Sequence, residues 1–401
     1  MKEVVIVDAV RTPIGRYKGS LKSVRPDDLG AVVIKALIER NPNLPSEQIE
    51  DVIFGNANQA GEDNRNVARM SALLAELPVN VSGTTINRLC GSGLDAVMYA
   101  AKSIAVGEGN IYIAGGTESM TRAPYVMAKP ENEFPRGAME LHDTTIGWRF
   151  TNKKLEKMYG VDSMPQTAEN VAYRFSVSRE AQDQFALQSQ QRAKQAIETG
   201  RFTNEIVPVR FKDRKGNEIV FERDEHPRPD TTLEKLGKLK PIFEGGTVTA
   251  GNASGVNDGA SALLLMSTEK AKELGLKPLA KYVVGAVVGL EPSVMGLGPI
   301  YSTQKVLERA NLEVGDIGLV ELNEAFASQS IECIRQLKLD PEKVNVNGGA
   351  IAFGHPLGAS GARILTTLLH EMKKQNVQYG LATMCVGVGQ GVSAIIENME
   401  E

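Results

Sequence analysis

The chain has 401 residues, and at roughly 100–200 residues per domain it is too long for one small core. Its 45 basic and 49 acidic residues give a net charge of -4, which argues against nucleic acid or a membrane surface as the main partner. The three cysteines are too few for a disulfide framework, so a cytoplasmic protein is expected. No apolar stretch reaches the ~20 residues that a membrane span requires.

Short apolar runs alternate with helical patterns in the first part of the chain. The β-branched run at 4–7 and a second run at 51–55 predict strands, and the pattern over 29–39 predicts a helix between them. Such alternation indicates α/β layering with largely buried strands.

A glycine turn, a helix and a strand follow each other near residue 90. Cys90-Gly-Ser-Gly precedes an alanine-rich helix, and the strand predicted at 110–114 ends in Gly115 and Gly116. The same order returns near the end of the chain. There Gly358-Ala-Ser-Gly precedes a helix at 362–374, and a strand at 379–384 ends at a second cysteine.

This repeated order is typical of an internal duplication, although α/β proteins in general also show it. The middle of the chain, about 122–244, is more polar and contains many prolines. We interpret it as an inserted domain with helices at 166–175 and 179–199 and extended loops.

Cys90 occupies a predicted strand-to-helix turn, close to a helix N-terminus. The helix dipole and free N–H groups there favour a thiolate and predict a lowered pKa. Cys90 is therefore a candidate nucleophile, whereas most free cysteines are small buried hydrophobic residues.

His355 lies in a glycine-rich loop and is followed by Pro356. Histidine titrates near neutral pH, so His355 is a candidate general base, with a packing role in the loop as the alternative.

Cys385 and Asn323 each follow a predicted strand. The glycine-rich turn after Cys385, which includes Gly387, can direct N–H groups at an oxyanion. The amide of Asn323 can hold a water molecule, although a helix N-cap is an equally good interpretation. Cys333 lies in a helical stretch without such a turn and is predicted to be a core residue.

Together these residues lie in stretches that resemble the thiolase family over essentially the whole chain. Seven such stretches in the right order make an accidental match implausible. They cover residues 7–15, 87–93, 115–120, 246–255, 323–326, 347–361 and 384–391.

The resemblance implies an α/β protein with the duplicated, five-layered αβαβα thiolase fold and an inserted loop domain. Residues 1–121, completed by about 256–277, would form the N-terminal half. Residues 122–255 would form the inserted, CoA-binding loop domain, and residues 278–401 the C-terminal half. A homo-oligomer, either a dimer or a dimer of dimers, is also implied.

The resemblance also implies residue roles. Cys90 would attack the 3-keto carbon of a 3-ketoacyl-CoA and carry the shortened acyl group as a thioester, and His355 would accept its proton. Cys385 would protonate the departing acetyl-CoA enolate. A water held by Asn323, together with His355, would stabilise the enolate oxygen. The N–H groups of Cys90 and Gly387 would form a second oxyanion hole.

Coenzyme A enters this scheme as a substrate, and no metal or organic cofactor is expected. The resemblance assigns CoA and substrate contacts to Met164, Arg228, Phe243, Ala250, Ser254, Ala325 and Phe326.

The substrate class is suggested by four further stretches, 143–150, 159–165, 224–232 and 321–328, which resemble β-ketoadipyl-CoA thiolases of aromatic-acid breakdown. Their acyl chains end in a carboxylate, for which Arg149, His226 and Arg228 are candidate partners. Ser163 stands where short-chain acetoacetyl-CoA thiolases carry histidine, which argues against that type. General 3-ketoacyl-CoA thiolases of fatty-acid β-oxidation remain an alternative.

The residues leave three other functions as alternatives. An acetoacetyl-CoA thiolase acting in the condensing direction is the main alternative. A decarboxylating ketosynthase would carry a Cys-His-His or Cys-His-Asn set instead of a second glycine-flanked cysteine. A non-catalytic acyl-CoA or lipid-binding relative would have lost one of Cys90, His355 and Cys385, and all three are present.

Overall fold

Strands and helices alternate through both ends of the chain in the computed structural model, which describes residues 1–134 and 136–399. The strands are β1 (Val4–Arg11), β2 (Gly15–Arg16), β3 (Asp51–Gly55), β4 (Ser82–Ile86), β5 (Ile111–Ser119), β6 (Tyr125–Val126), β7 (His142–Asp143), β8 (Val209–Lys212), β9 (Glu218–Phe221), β10 (Asn257–Ser267), β11 (Ala280–Gly289), β12 (Ile317–Leu322), β13 (Tyr379–Val386) and β14 (Gln390–Asn398).

Helices connect most of these strands, and the strand predicted at 51–55 and the helix predicted at 179–199 are confirmed within one residue. The helices are α1 (Pro26–Arg40), α2 (Val67–Leu74), α3 (Ser92–Val106), α4 (Lys153–Tyr159), α5 (Met164–Phe175), α6 (Arg179–Glu198), α7 (Leu233–Gly237), α8 (Thr268–Leu274), α9 (Gly298–Ala310), α10 (Ala327–Leu337), α11 (Ala350–Phe353) and α12 (Leu357–Gln375).

The main sheet runs through both halves of the chain. Within the described residues its strand order is β12-β13-β14-β11-β1-β10-β5-β3-β4, and β2 pairs with β10. The two halves meet where β1 pairs with β11, over Val5 and Ile6 opposite Lys281 and Ala280. β10 lies between β1 and β5 and pairs with both, so it belongs to the N-terminal part of the sheet.

Helices cover both outer faces of the two half-sheets and also fill the space between them. Helices α3 and α12 form the middle layer, whose apolar side chains pack against strands of both halves. Helices α1 and α2 cover the outer face of the N-terminal half, and α9 and α10 cover that of the C-terminal half. This packing is the predicted αβαβα arrangement, and it brings the N-termini of α3 and α12 together.

The glycines predicted to form turns serve close packing instead. β5 continues through Gly115 and Gly116 to Ser119, and α12 already includes Gly358 and Gly361. A Cβ on Gly116 would lie 2.0 Å from the carbonyl oxygen of Gly358, and one on Gly361 would lie 2.3 Å from the backbone nitrogen of Leu94. Only glycine permits such backbone approach, so these glycines set the separation of the middle helices and the sheet.

Residues 122–255 contain β6–β9 and α4–α7, and their two small hairpins are separate from the main sheet. The exact domain limits at 122 and 255 remain a prediction. In the described part of the chain, no helix is long and apolar enough to cross a membrane.

Candidate active site

Cys90 lies on a sharp turn between β4 and the N-terminus of α3, as predicted. Leu89 has a left-handed backbone with φ of 45°, which a non-glycine residue rarely adopts. The Asn87 side chain holds this turn by accepting a hydrogen bond from the Leu89 N–H at 2.8 Å. The hydroxyl of Ser92 donates to the Leu89 carbonyl at 2.6 Å and fixes the other side. The thiol of Cys90 is therefore presented from a rigid backbone.

His355 lies in the short connection between α11 and α12. Gly354 has φ of 98°, and a Cβ there would collide with the amide of Asn257. That amide accepts a hydrogen bond from the His355 N–H at 2.9 Å, which fixes the loop.

The imidazole of His355 has one defined tautomer. Its Nδ1 lies 2.6 Å from Oγ of Ser360, and the Ser360 hydroxyl donates to the Pro356 carbonyl at 2.8 Å. Because the hydroxyl proton is already used, Nδ1 must carry the proton and donate to Ser360. The Nε2 atom is then unprotonated, and its lone pair can accept a proton as a base.

Asn323 faces that lone pair. Its Nδ2 lies 3.4 Å from Nε2 of His355, and its buried Oδ1 has no hydrogen-bond partner among the described residues. The N-cap of α10 is Phe326, so Asn323 is not a helix cap. An unpaired buried amide oxygen requires a water or ligand donor, as the sequence-based interpretation expects.

Cys385 lies in β13, one residue before the strand ends, and its side chain is buried. Its sulfur lies 3.4 Å from the side-chain amide of Gln329. The chain then turns through Val388 and Gly389, with φ of 62° and 76°, into β14. This turn places Gly387 beside Cys90, where its N–H favours the thiolate form of Cys90 and acts to lower its pKa.

The predicted lowering of the Cys90 pKa is wrong. Burial raises the pKa of Cys90 to about 11, and the N–H groups of Gly387 and of Cys90 itself offset only part of that increase. Burial lowers the pKa of His355 to about 3, and the positive charge of Arg363 acts in the same direction. Near pH 7 the site therefore contains a neutral thiol and a neutral imidazole.

A cavity of about 550 Å³ brings the predicted groups together. Its lining includes Cys90, His355 and Cys385, from both halves of the fold. Burial raises the pKa of Cys385, and the proximity of Cys90 adds to the increase.

Six of the seven predicted CoA and substrate contacts also line this cavity, namely Met164, Arg228, Ala250, Ser254, Ala325 and Phe326. Phe243 is absent from the described lining, and its neighbour Ile242 is present instead. The Ser254 N–H donates to the Ala325 carbonyl at 2.9 Å, which joins the loop domain to the start of α10.

A second cavity of about 200 Å³ adjoins the first one at Cys90. Cys90 and Met164 line both cavities, so the nucleophile stands where they meet. The smaller cavity also contains Gly387 and Arg149, whereas His226 and Arg228 line only the larger one. The three cations predicted as carboxylate partners are thus divided between two compartments.

Ser360, Asn257 and Glu118 were not singled out from the sequence. The buried carboxylate of Glu118 accepts hydrogen bonds from the N–H groups of Ala57 and Gly358, both at 2.8 Å, and so ties the two halves together beside Cys90. Burial raises the pKa of Glu118 to about 7. Ser360 and Glu118 lie within matched stretches, which was the available signal. The hydrogen-bond partners of Glu118 are distant in sequence, whereas Ser360 contacts His355 and Pro356 in the same stretch.

Comparison with known proteins agrees with this geometry. Residues 4–269 match the thiolase N-terminal domain and residues 276–398 the thiolase C-terminal domain. The chain is 57% identical to the β-ketoadipyl-CoA thiolase of Acinetobacter baylyi over 402 residues, covering 100% of both proteins. It is 56% identical to the 3-oxoadipyl-CoA/3-oxo-5,6-dehydrosuberyl-CoA thiolase of Escherichia coli K12, again over the full length of both.

Among solved structures, the acetyl-CoA acetyltransferase of Bacillus anthracis superposes with a TM-score of 0.93 at 43% identity, covering 100% of this chain and 99% of that one. The two domain matches cover nearly the whole sequence, and the fold and the paired cysteines agree with them. The chain therefore belongs to the thiolase family and is an acyltransferase.

Proposed function

We propose that this thiolase cleaves 3-oxoadipyl-CoA with free CoA to give acetyl-CoA and succinyl-CoA. The observation that carries the reaction type is the meeting of Cys90, His355 and Cys385 on one cavity. The substrate is supported by the relatives named for β-ketoadipyl-CoA or 3-oxoadipyl-CoA, which resemble the chain more than the acetyl-CoA acetyltransferase does.

In the first step the Cys90 thiol transfers its proton to Nε2 of His355, and the thiolate attacks C3 of the substrate. This transfer requires a protonated thiol on Cys90 and an unprotonated Nε2 on His355, and both are present near pH 7. The N–H groups of Gly387 and Cys90, which favour negative charge at the Cys90 sulfur, stabilise the oxyanion that forms on C3.

The bond between C2 and C3 then breaks, and its electron pair moves to the acetyl-CoA portion as an enolate. The protonated His355 and a water on the unpaired Oδ1 side of Asn323 stabilise the enolate oxygen. Cys385 donates its thiol proton to C2, which completes acetyl-CoA and leaves the succinyl group on Cys90.

Free CoA completes the cycle. Its thiol returns a proton to Cys385, and the resulting CoA thiolate attacks the succinyl thioester. Cys90 leaves as a thiolate and recovers its proton from His355. Two thiols and one imidazole thus supply each nucleophile and proton, and we propose that no metal or organic cofactor takes part.

The test is the CoA-dependent cleavage of 3-oxoadipyl-CoA, a medium-chain 3-ketoacyl-CoA and acetoacetyl-CoA, followed as acetyl-CoA formed. The highest kcat/KM is expected for 3-oxoadipyl-CoA. A higher value for the medium-chain substrate would indicate a β-oxidation thiolase, and one for acetoacetyl-CoA the short-chain type.

We further propose that the protein is a homo-oligomer, a dimer or a dimer of dimers, and acts in the cytoplasm. Exposed apolar side chains between β6 and β7 support the oligomer, since Phe134 is 85% exposed and Leu141 is 62% exposed. Large apolar side chains exposed in this way mark surfaces that bind another protein chain. Light scattering coupled to size-exclusion chromatography measures the state, and a monomer would contradict it.

A further inference from the structure

The smaller cavity beside Cys90 contains a guanidinium without a protein partner. Arg149 is half-buried, and its side chain makes no hydrogen bond or ion pair with any residue in the described ranges. The two carboxylates on the same lining form hydrogen bonds with other groups. Asp162 accepts a hydrogen bond from Asn170 at 2.9 Å, and Glu118 accepts its bonds from backbone N–H groups. The cation is therefore available to an anion that enters the cavity.

The loop that carries Arg149 is held on both sides. Thr144 is buried, and its carbonyl accepts a hydrogen bond from the Asn58 amide at 2.8 Å. The Trp148 indole N–H donates to the Asp162 carbonyl at 3.3 Å. The backbone turns at Phe150, with φ of 50°, immediately after Arg149. A fixed loop lowers the entropy lost when the guanidinium binds a ligand.

His226 and Arg228, the other two candidate partners for the acyl carboxylate, line a different cavity, and His226 is also uncharged. His226 and Arg228 line the larger cavity with the predicted CoA contacts. Burial, with the charge of Arg228, lowers the pKa of His226 to about 4, so its imidazole is neutral near pH 7. Arg228 is exposed and lines that cavity, whereas Arg149 lines only the smaller one.

The acyl group on Cys90 and the pantetheine of CoA need separate space. The larger cavity contains Cys385 and His355, which act on the acetyl-CoA portion, so the acyl chain extends into the smaller one. That cavity has apolar walls from Leu89, Leu357 and Val388 before it reaches Arg149. Short methylene chains fit such walls, and a carboxylate fits a guanidinium fork through two parallel hydrogen bonds.

We propose that Arg149 binds the terminal carboxylate of the acyl chain and so determines the preference for dicarboxylic 3-ketoacyl-CoA substrates. This inference rests on the proposed function, since it needs a substrate whose acyl chain ends in a carboxylate.

The experiment compares 3-oxoadipyl-CoA with 3-oxohexanoyl-CoA, which has the same chain length and ends in a methyl group. Arg149→Met is expected to lower kcat/KM for 3-oxoadipyl-CoA by roughly 10- to 100-fold and to leave that for 3-oxohexanoyl-CoA nearly unchanged, because only one charged interaction is lost. Arg149→Lys should recover part of the loss. Arg228→Met is the matched control, and it should lower both values by the same factor.

The outcomes separate this inference from the proposed function. If the wild-type protein does not prefer 3-oxoadipyl-CoA, the proposed substrate is wrong and the role of Arg149 falls with it. If the wild type prefers it and Arg149→Met keeps that preference, the role of Arg149 is wrong and the proposed function stands. Equal losses on both substrates would show that Arg149 serves the fold of the loop, and would also overturn the inference.

Discussion

The two halves of the fold each bring one cysteine to the same cavity, and the surroundings of these two thiols differ. Cys90 lies just before the N-terminus of α3, where the N–H of Gly387 favours its thiolate form. Cys385 lies near the C-terminal end of β13, where its sulfur faces the amide of Gln329. Burial raises the pKa of both, but only Cys90 receives N–H groups from two different segments.

This difference separates two chemical roles. The donors around Cys90 suit negative charge on its sulfur and on the oxyanion formed when it attacks a carbonyl. Cys385 is buried with less support for an anion. In the proposed mechanism it therefore retains its proton until a strongly basic carbanion is formed beside it. Each half of the fold thus supplies one cysteine, and the proposed mechanism uses Cys90 as the nucleophile and Cys385 as the acid and base.

The largest effect is expected from Cys90→Ser. Turnover of 3-oxoadipyl-CoA should fall by roughly 10⁴-fold or more, because serine is a much weaker nucleophile without a base matched to it. Cys333→Ser is the control, since Cys333 is buried in the core outside this cavity. That variant should keep kcat even where its unfolding temperature falls. Similar kcat losses in both variants would contradict the special position of Cys90.

Cys385→Ala is expected to lower kcat by roughly 10³-fold, within the range for loss of a positioned acid or base. Cys90 should still accept an acyl group from succinyl-CoA, which intact-protein mass spectrometry detects. Loss of both turnover and acylation would show that the two cysteines do not have separate roles.

The pH dependence of Cys90 alkylation tests its protonation state. At pH values below the Cys90 pKa of about 11, the thiolate fraction rises about tenfold with each unit of increase in pH. Iodoacetamide labelling of the Cys90 peptide should therefore rise steadily between pH 6 and 9. A plateau from about pH 7 would mean that the helix N-terminus outweighs burial.

A smaller effect is expected from Ser360→Ala. This change removes the acceptor that fixes Nδ1–H of His355, and kcat should fall by about tenfold as the imidazole samples the other tautomer. Ser302→Ala is the control, because Ser302 is an equally buried helical serine that bonds Ser393 away from the cavity. If both variants lower kcat equally, Ser360 has only a structural role.

The local sequence was enough to predict those parts of the site that a few neighbouring residues determine. The turn carrying Cys90 and the strand before Asn323 are determined by neighbouring residues, and both were placed correctly. The pKa of Cys90 could not be predicted, because burial depends on residues from both halves of the fold.

Packing at a distance also explains the other differences. The glycines at 115–116 and 358–361 look like turns in sequence, but their function is visible only when α12 lies against α3 and the sheet. The location of Arg149 relative to Arg228 likewise depends on how the loop domain folds over Cys90.

The most direct test of the account is to mix the protein with 3-oxoadipyl-CoA without free CoA, quench the reaction, and map the adduct by peptide mass spectrometry. We predict one succinyl thioester on Cys90, with acetyl-CoA released in equal amount. A succinyl group on Cys385, or acetyl-CoA formed without any protein adduct, would contradict it.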